Sequence, residues 1–414
     1  MARPLLLLGL GGPAAYSEFL LAQIAASCPV ILVDTTAPAW ARPYLARHLP
    51  VNPADEAAAA AMVLDYASHH ELGGVLTLCR EHLVTAARFA QWLGLGEGTA
   101  QALSICADRF TVRQVLAHRK VPLPRWAQAR DPEAAAEQAG LIGYPVVIKA
   151  RSAPFTSLAR SSGEVPVICA RVEHNASPEH GCWADGLLVE ERLDGLQVAA
   201  ETVVLGDGDI QIVAITRTVL GAPPALQTMR HCVYAHDSLL HNRILRQTVA
   251  RAVEALGVRL GVLHVEMTLT SRGPRITDIS AHLPGDLIPL LVERATGVSL
   301  ARAAADLATG RPVNLTPTRQ RAAAVHFAYA TVAGRIDHLD VATRDCSPLV
   351  DRVVLTQQVG QHVAAAGQAR VVDRLAHWVV LGLTAADCHT ALDRLTQDLS
   401  IHVTSPATAV AHAP

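Results

Sequence analysis

Two carboxylates on neighbouring short segments are the first side chains in this sequence that could organise a cation. They are Glu266 in His264-Val-Glu266-Met-Thr268 and Asp278 in Ile276-Thr-Asp278-Ile-Ser280. Ser271-Arg-Gly-Pro between the segments is a good turn, so the stretch reads as a hairpin. Successive strand residues face opposite ways. Setting Glu266 opposite Asp278 centres the hairpin on Arg272 and sets His264 opposite Ser280. These four side chains then share one face, and Val265, Met267 and Ile279 the other. Two acids a strand apart repel unless a cation lies between them, and hard oxygen ligands suit Mg²⁺. A solvent-facing polar side of a hairpin fits the same pattern.

Lys149 closes the apolar run Gly143-Tyr-Pro-Val-Val-Ile-Lys149. Only two of the 35 basic Lys and Arg residues are lysines, Lys120 and Lys149. A lysine here is therefore unusual for the chain, and as a point charge on a flexible stem it suits phosphate. Leu187-Leu-Val-Glu190-Glu191-Arg-Leu193-Asp-Gly195 ends an apolar strand in paired acids, which fits either a ligand-facing hinge or an ordinary polar turn. Gly9-Leu-Gly11-Gly-Pro-Ala14, followed by Asp34, fits a dinucleotide-binding turn, and equally a tight strand–helix turn.

The elements that must position these residues alternate at first. Strand patterns at Leu5–Leu8, Pro29–Val33 and Gly74–Leu78 interleave with helical patterns at Ala14–Ala26, Glu56–His69 and Glu81–Leu93, predicting parallel βαβ units. A helix is expected over Asp108–His118 with Asp108 as its N-cap, and Val121-Pro-Leu-Pro opens a new unit. Strands are expected at Pro145–Lys149, Val165–Arg171, Leu187–Glu190, Val198–Leu205 and Ile210–Thr218. Helices are expected at Leu240–Leu256, Asp286–Ala295 and Ser299–Thr309 around the hairpin Leu263–Ile279. The end mixes strands (Ala322–Tyr329, Arg370–Val372, Trp378–Leu383) with a helix at Ala385–Leu399, then a frayed tail from Ser405.

Composition narrows the function classes. With 35 basic and 37 acidic residues and a net charge of −2, there is no basic track for nucleic acid. Hydrophobic content of 50% and charged content of 17% exclude a disordered chain. The eight cysteines form no C-x-x-C pair and read as buried thiols of a reducing compartment. Leu5–Leu8 is too short for a signal h-region or a membrane span, so a cytoplasmic protein is expected, without nucleic-acid or membrane partners.

In order, these pieces resemble the ATP-grasp superfamily of carboxylate–amine ligases. The carriers are Asp108-Arg-Phe-Thr, Val121-Pro-Leu-Pro, the Lys149 and Glu190–Gly195 segments, His264-Val-Glu266, Asp278-Ile-Ser280-Ala-His282-Leu-Pro-Gly-Asp286 and Ala-Thr-Gly297. Val359-Gly-Gln-His-Val and Leu381-Gly-Leu-Thr-Ala-Ala-Asp-Cys-His resemble the C-terminal domain of L-amino acid (dipeptide) ligases. The resemblance implies α/β and α+β architecture: a Rossmann-like leading domain that binds no dinucleotide (1–107), a small ATP-grasp lobe with its entry helix (108–200), a large lobe (201–315) and a C-terminal α+β domain (316–414). It implies ATP and Mg²⁺ as cofactors, with activation of a carboxylate as an acyl phosphate and its capture by an amine.

Carried over residue by residue, Lys149 falls at the phosphate lysine, and Glu190, Glu191 and Leu193 at the adenine hinge. Gln197 falls at a ribose position, and Arg109 where many members have lysine. Glu266, Asp278 and Ser280 fall at the metal positions, and His282 at the usual arginine beside the reacting groups. Arg230 and His231, expected on a loop, are placed near substrate.

The sequence departs from the pattern at several of these positions. Asp278 stands for glutamate, Ser280 for asparagine, His282 for arginine and Gln197 for glutamate. The stretch Ala150–Arg160 has no glycine where a phosphate loop is usual, leaving Ser152, Thr156, Ser157, Arg151 and Arg160 as candidates. Partners implied are small-molecule carboxylate and amine substrates, with a homodimer and a carrier-protein acceptor left open. Two other readings stand beside the ligase: a degenerate nucleotide-binding scaffold, and an oxidoreductase using the Gly9–Ala14 turn.

Overall fold

The computed structural model describes residues 3–95, 99–151, 156–176, 186–206, 208–221, 226–341 and 348–405. Leu5–Leu8 is an unbroken apolar run because it is buried on both faces, the mark of a parallel strand between helices. It lies between Val30–Asp34 and Gly74–Thr77 in a parallel four-stranded sheet, with Arg47–Pro50 at one edge. Helices Ala14–Ala25 and Glu56–His69 connect these strands, and Leu83–Trp92 follows the last of them. The expected helix over Glu81–Leu93 begins as a separate 3-10 turn, Arg80–His82. Gly74 passes so close to the helix Leu300–Ala308 that a Cβ there would lie 2.1 Å from the Ala308 carbonyl oxygen, which fixes this sheet against the rest of the molecule.

Helix Arg109–His118 is capped by Asp108, whose carboxylate accepts from the Phe110 N–H at 3.0 Å, as the sequence predicts. It leads into a small antiparallel sheet of Trp126–Ala129, Leu187–Glu191, Val146–Ala150 and Thr156–Ala159, in that spatial order. Helices Pro132–Ile142 and Val165–Ala176 cover it. The strand expected at Val165–Arg171 is therefore a helix. Its buried residues Val165, Ile168, Cys169 and Val172 follow helical spacing, while Val167 is exposed, but β-branched side chains disguise the period. Pro166 sits in the first turn, where no N–H is needed.

A third sheet, of eight strands, runs Gly273–Ser280, Leu260–Thr270, Leu196–Leu205, Ile210–Leu220, Thr228–Tyr234, Ala322–Ala328, Ala376–Gly382 and Val350–Leu355. Leu196–Leu205 crosses the boundary expected at residue 200 and belongs wholly to this sheet. Ala322–Ala328 carries the sheet past residue 315. Arg230 and His231 lie on the strand Thr228–Tyr234, not on a loop. Neighbours on both sides pair with this strand, so its backbone is satisfied although its polar start hides the strand pattern. The strand expected at Arg370–Val372 is instead a 3-10 turn, Val371–Asp373, closed where the Asp373 carboxylate accepts from the Arg370 N–H at 2.8 Å. A three-stranded sheet (His362–Val363, Gly334–Val341, Leu399–Thr404) and the helix Ala385–Gln397 complete the C-terminal part.

Candidate functional site

The hairpin Leu260–Thr270/Gly273–Ser280 has the predicted register: Glu266 opposes Asp278 and His264 opposes Ser280. Val265, Met267 and Ile279 point the other way into the core. A bulge follows Glu266, because Met267 pairs with Ile276 and Thr277 is left over. The turn consequently closes between Thr270 and Gly273 and not symmetrically about Arg272. The freed Thr277 carbonyl accepts from Lys149 Nζ at 2.8 Å and from Arg113 Nη2 at 2.5 Å. One backbone oxygen thus ties the large sheet to the strand Val146–Ala150 and to the helix Arg109–His118.

Lys149 is only 7% exposed, and Nζ also lies 2.6 Å from Glu190 Oε2. Arg113, fully buried, holds the other Glu190 oxygen at 2.5 Å. Burial alone would raise the Glu190 pKa, but Arg113 and Lys149 more than offset it and hold the carboxyl below its usual range. Arg109 grips Asp278 Oδ2 through Nε at 3.1 Å and Nη2 at 2.7 Å, and donates from Nη1 to the Ala150 carbonyl at 2.9 Å. Asp278 Oδ1 accepts from the Ile279 N–H at 3.0 Å. Here too burial opposes the charge, yet Arg109, Lys149 and Arg80 keep this carboxyl well below the ordinary range.

Glu266 is half exposed and lies 3.2 Å from His264 Nε2, while His264 Nδ1 is 2.9 Å from the fully buried Glu201. Burial would lower the His264 pKa, but Glu201 and then Glu266 raise it well above the usual value. Ser280 Oγ accepts from Arg80 Nη1 at 3.3 Å. His282 donates its Nδ1–H to the Leu283 carbonyl at 2.7 Å, and its Nε2 is buried without a hydrogen-bond partner among the described residues. Burial pushes this imidazole below its usual pKa against the pull of that carbonyl, and the nearby Arg80 charge pushes the same way.

The remaining sequence candidates are placed as follows. Glu191 accepts from the Arg125 N–H at 3.1 Å, Leu193 is buried, and Gln197 Nε2 donates to Thr268 Oγ1 at 2.9 Å. Arg230 and His231, adjacent on one strand, face opposite ways. Arg230 meets Asp393 at 2.6 Å and His326 at 3.0 Å, whereas His231 Nε2 is 3.6 Å from Asp286. Arg151 is held by Asp108 at 2.6 Å, Thr156 and Ser157 start a strand, and Arg160 is exposed. Ser152 lies outside the described residues.

Sequence reasoning missed several partners. Arg113, Glu201 and Arg80 join the hairpin's polar side, and Arg374 joins Asp286 at 2.7 Å and Tyr329 Oη at 2.9 Å, with its guanidinium 3.7 Å from the Phe327 ring centre. An acid inside the apolar run Ala199-Ala-Glu201-Thr-Val was a readable signal for Glu201. The six cysteines among the described residues are free and buried, and no described helix is long and apolar enough to cross a membrane. The glycines of the Gly9–Ala14 turn make room for neighbours: a Cβ on Gly9 would lie 2.5 Å from Cys79 Sγ, and one on Gly11 2.8 Å from the Leu78 carbonyl oxygen.

No protein-family model matches the chain. It is 24% identical over 334 residues to an uncharacterized protein, y4rH, of Sinorhizobium fredii, across 80% of this chain and 68% of that protein. Among solved structures it is similar to an L-amino acid ligase from Bacillus licheniformis, with a TM-score of 0.80 and 17% identity, covering 97% of this chain and 99% of that one. A carboxyaminoimidazole ribonucleotide synthase from Aspergillus clavatus, solved in complex with ATP, aligns with a TM-score of 0.70 and 15% identity over 96% of this chain and 98% of that one. These likenesses establish the ATP-grasp fold, with its Rossmann-like leading part and two lobes.

Proposed function

We propose that this ATP-grasp chain is an ADP-forming ligase that activates an amino-acid-like carboxylate as an acyl phosphate and couples it to an amine, in specialised metabolism. The observation that carries the reading is the convergence on Thr277 and Asp278. Lys149, Arg113 and Arg109 reach from the small sheet and its entry helix onto the bulged hairpin of the large sheet. Buried cations around a pair of carboxylates suit polyphosphate, because fixed positive charge facing developing negative charge is what phosphoryl transfer needs.

In this reading Lys149 and Arg109 hold phosphate oxygens, and Glu190, Glu191, Leu193 and Gln197 line the nucleoside. Glu190 acts there through its backbone, since its side chain is held by Arg113 and Lys149. Glu266, Asp278 and Ser280 supply hard oxygen ligands on one face of the hairpin, a donor set that fits Mg²⁺. The ion would neutralise phosphate charge when bound. In this reading His282 faces the reacting groups, and His231 serves substrate from the sheet face that holds Asp286, while Arg230, on the opposite face with Asp393, acts from the C-terminal part.

Purified protein supplied with ATP, Mg²⁺ and a panel of amino acids as acid and amine should release ADP and phosphate in step with amide formation. Lys149→Ala and Asp278→Asn should abolish that release. Failure of the wild-type protein to bind ATP at millimolar concentration would sink the proposal.

A further inference from the structure

Arg80 comes from outside the two ATP-grasp lobes and still reaches the hairpin. It sits on the 3-10 turn Arg80–His82, after the last strand of the N-terminal parallel sheet. Nη1 donates to Ser280 Oγ at 3.3 Å, while Nη2 is buried without a hydrogen-bond partner among the described residues. Among the described residues Arg80 makes no ion pair, although Asp278 and Glu266 lie near enough for their charges to act on it. Arg80 as a whole is only half-buried, but a buried N–H left idle is costly unless an acceptor meets it.

The turn that holds Arg80 is rigid. Thr77 Oγ1 donates to the Leu8 carbonyl at 2.6 Å and accepts from the Cys79 N–H at 2.9 Å, and the Gly11 N–H donates to Cys79 Sγ at 3.1 Å. The glycines at 9 and 11 let the first strand–helix turn pack against residues 78–82. Near enough for the Arg80 charge to act on its ring, His282 commits its Nδ1–H to the Leu283 carbonyl and offers no fixed charge.

We propose that Arg80 is the anion-binding residue of the reacting centre, where its idle Nη2–H donates to an oxygen of the phosphoryl group or acyl phosphate. The N-terminal part thereby supplies the fixed cation that His282 does not. This inference rests on the ligase reading above. It makes Arg80 a residue in contact with the reacting group, and it gives the glycine turn a purpose, presenting that arginine.

The test measures ADP binding by calorimetry on the full-length protein with Mg²⁺, with and without aluminium fluoride as a mimic of the transferring phosphoryl group. Wild-type protein should bind ADP more tightly with the fluoride. Arg80→Gln should bind ADP alone as wild type does but lose about 10- to 100-fold of that tightening, the worth of a charge-assisted hydrogen bond. Arg80→Lys, which keeps the charge without the fork, should retain part of it. The double variant Arg80→Gln/His282→Arg, which moves the guanidinium to residue 282, should regain both the tightening and turnover. If Arg80→Gln retains full tightening, or the double variant folds and regains nothing, Arg80 is only a structural contact and the inference fails. If the wild type binds ADP in neither condition, the ligase reading fails with it.

Discussion

Arg109 and Asp278 form a two-pronged ion pair, with Nε and Nη2 at 3.1 and 2.7 Å from a single carboxylate oxygen. Their side chains are 5% and 12% exposed. The pair links the entry helix to the hairpin, and Arg109 Nη1 carries the link on to the Ala150 carbonyl of the small sheet, so it holds the site's geometry as well as its charge. Removing one partner leaves a buried charge uncompensated, which costs about 3–5 kcal/mol. Asp278→Asn should therefore lower the urea midpoint substantially as well as abolish Mg²⁺-dependent ATP turnover. An unchanged midpoint would mean that the carboxylate is not the anchor of Arg109.

Lys149 and Arg113 share both acceptors, Glu190 and the Thr277 carbonyl. Each can cover for the other in holding the fold. Lys149→Met and Arg113→Met should each destabilise by about 1–3 kcal/mol, and the double variant by more than the sum, because Glu190 is then buried without a cation. Only Lys149→Met is expected to remove ATP turnover entirely at equal folded fraction. Additive urea midpoints across the cycle would refute the shared-acceptor account.

The hairpin face was legible because strand alternation and turn chemistry are local: Glu266, Asp278, His264 and Ser280 sit within one short stretch. Lys149 was legible through the chain's preference for arginine. Arg113 and Arg374 were not, because their partners lie 77 and 88 residues away and leave no periodic trace. The bulge at Thr277 was hidden for a different reason: the side-chain pattern around it fits a regular ladder until the turn is counted. At Val165–Ala176, β-branched residues imitated a strand, and at Thr228–Tyr234 a central strand opened on polar residues whose partners come from distant elements.

Two buried imidazoles set an acid limb of stability. Burial lowers His326 to about 4, helped by the Arg230 charge against the pull of Asp393. Burial also lowers His377 to about 4, helped by Arg352 and Arg374. The unfolded chain titrates its histidines near 6.5, so between about 6.5 and 4 it binds more protons than the folded chain. Stability must therefore fall as the pH drops through that window, by about 1.4 kcal/mol per pH unit for each ring. His377, fully buried and with no partner for either nitrogen among the described residues, can be replaced by Leu without losing a hydrogen bond the structure shows. His377→Leu should reduce the slope of urea-unfolding free energy between pH 6 and 5 by about one such increment. A slope equal to wild type would refute the assignment.

The glycine turn at residues 9–12 separates a steric role from a dinucleotide one. Gly9 and Gly11 have φ values of +71° and +77°, where a side chain is strained. Beyond that strain, a Cβ on Gly9 meets the Cys79 sulfur, whereas one on Gly11 meets the Leu78 backbone oxygen. A side chain can be trimmed and a backbone cannot. Gly9→Ala should destabilise by about 1–3 kcal/mol, and Cys79→Ala in the same chain should recover part of that loss. Gly11→Ala should gain nothing from Cys79→Ala, which also removes the acceptor of the Gly11 N–H. Urea midpoints of the four variants measure this, and NADH titration of the wild type provides the control. Saturable NADH binding weakened by Gly9→Ala would show that the glycines serve a pyrophosphate; equal rescue of both glycine variants would show that the clash lies elsewhere than at Cys79.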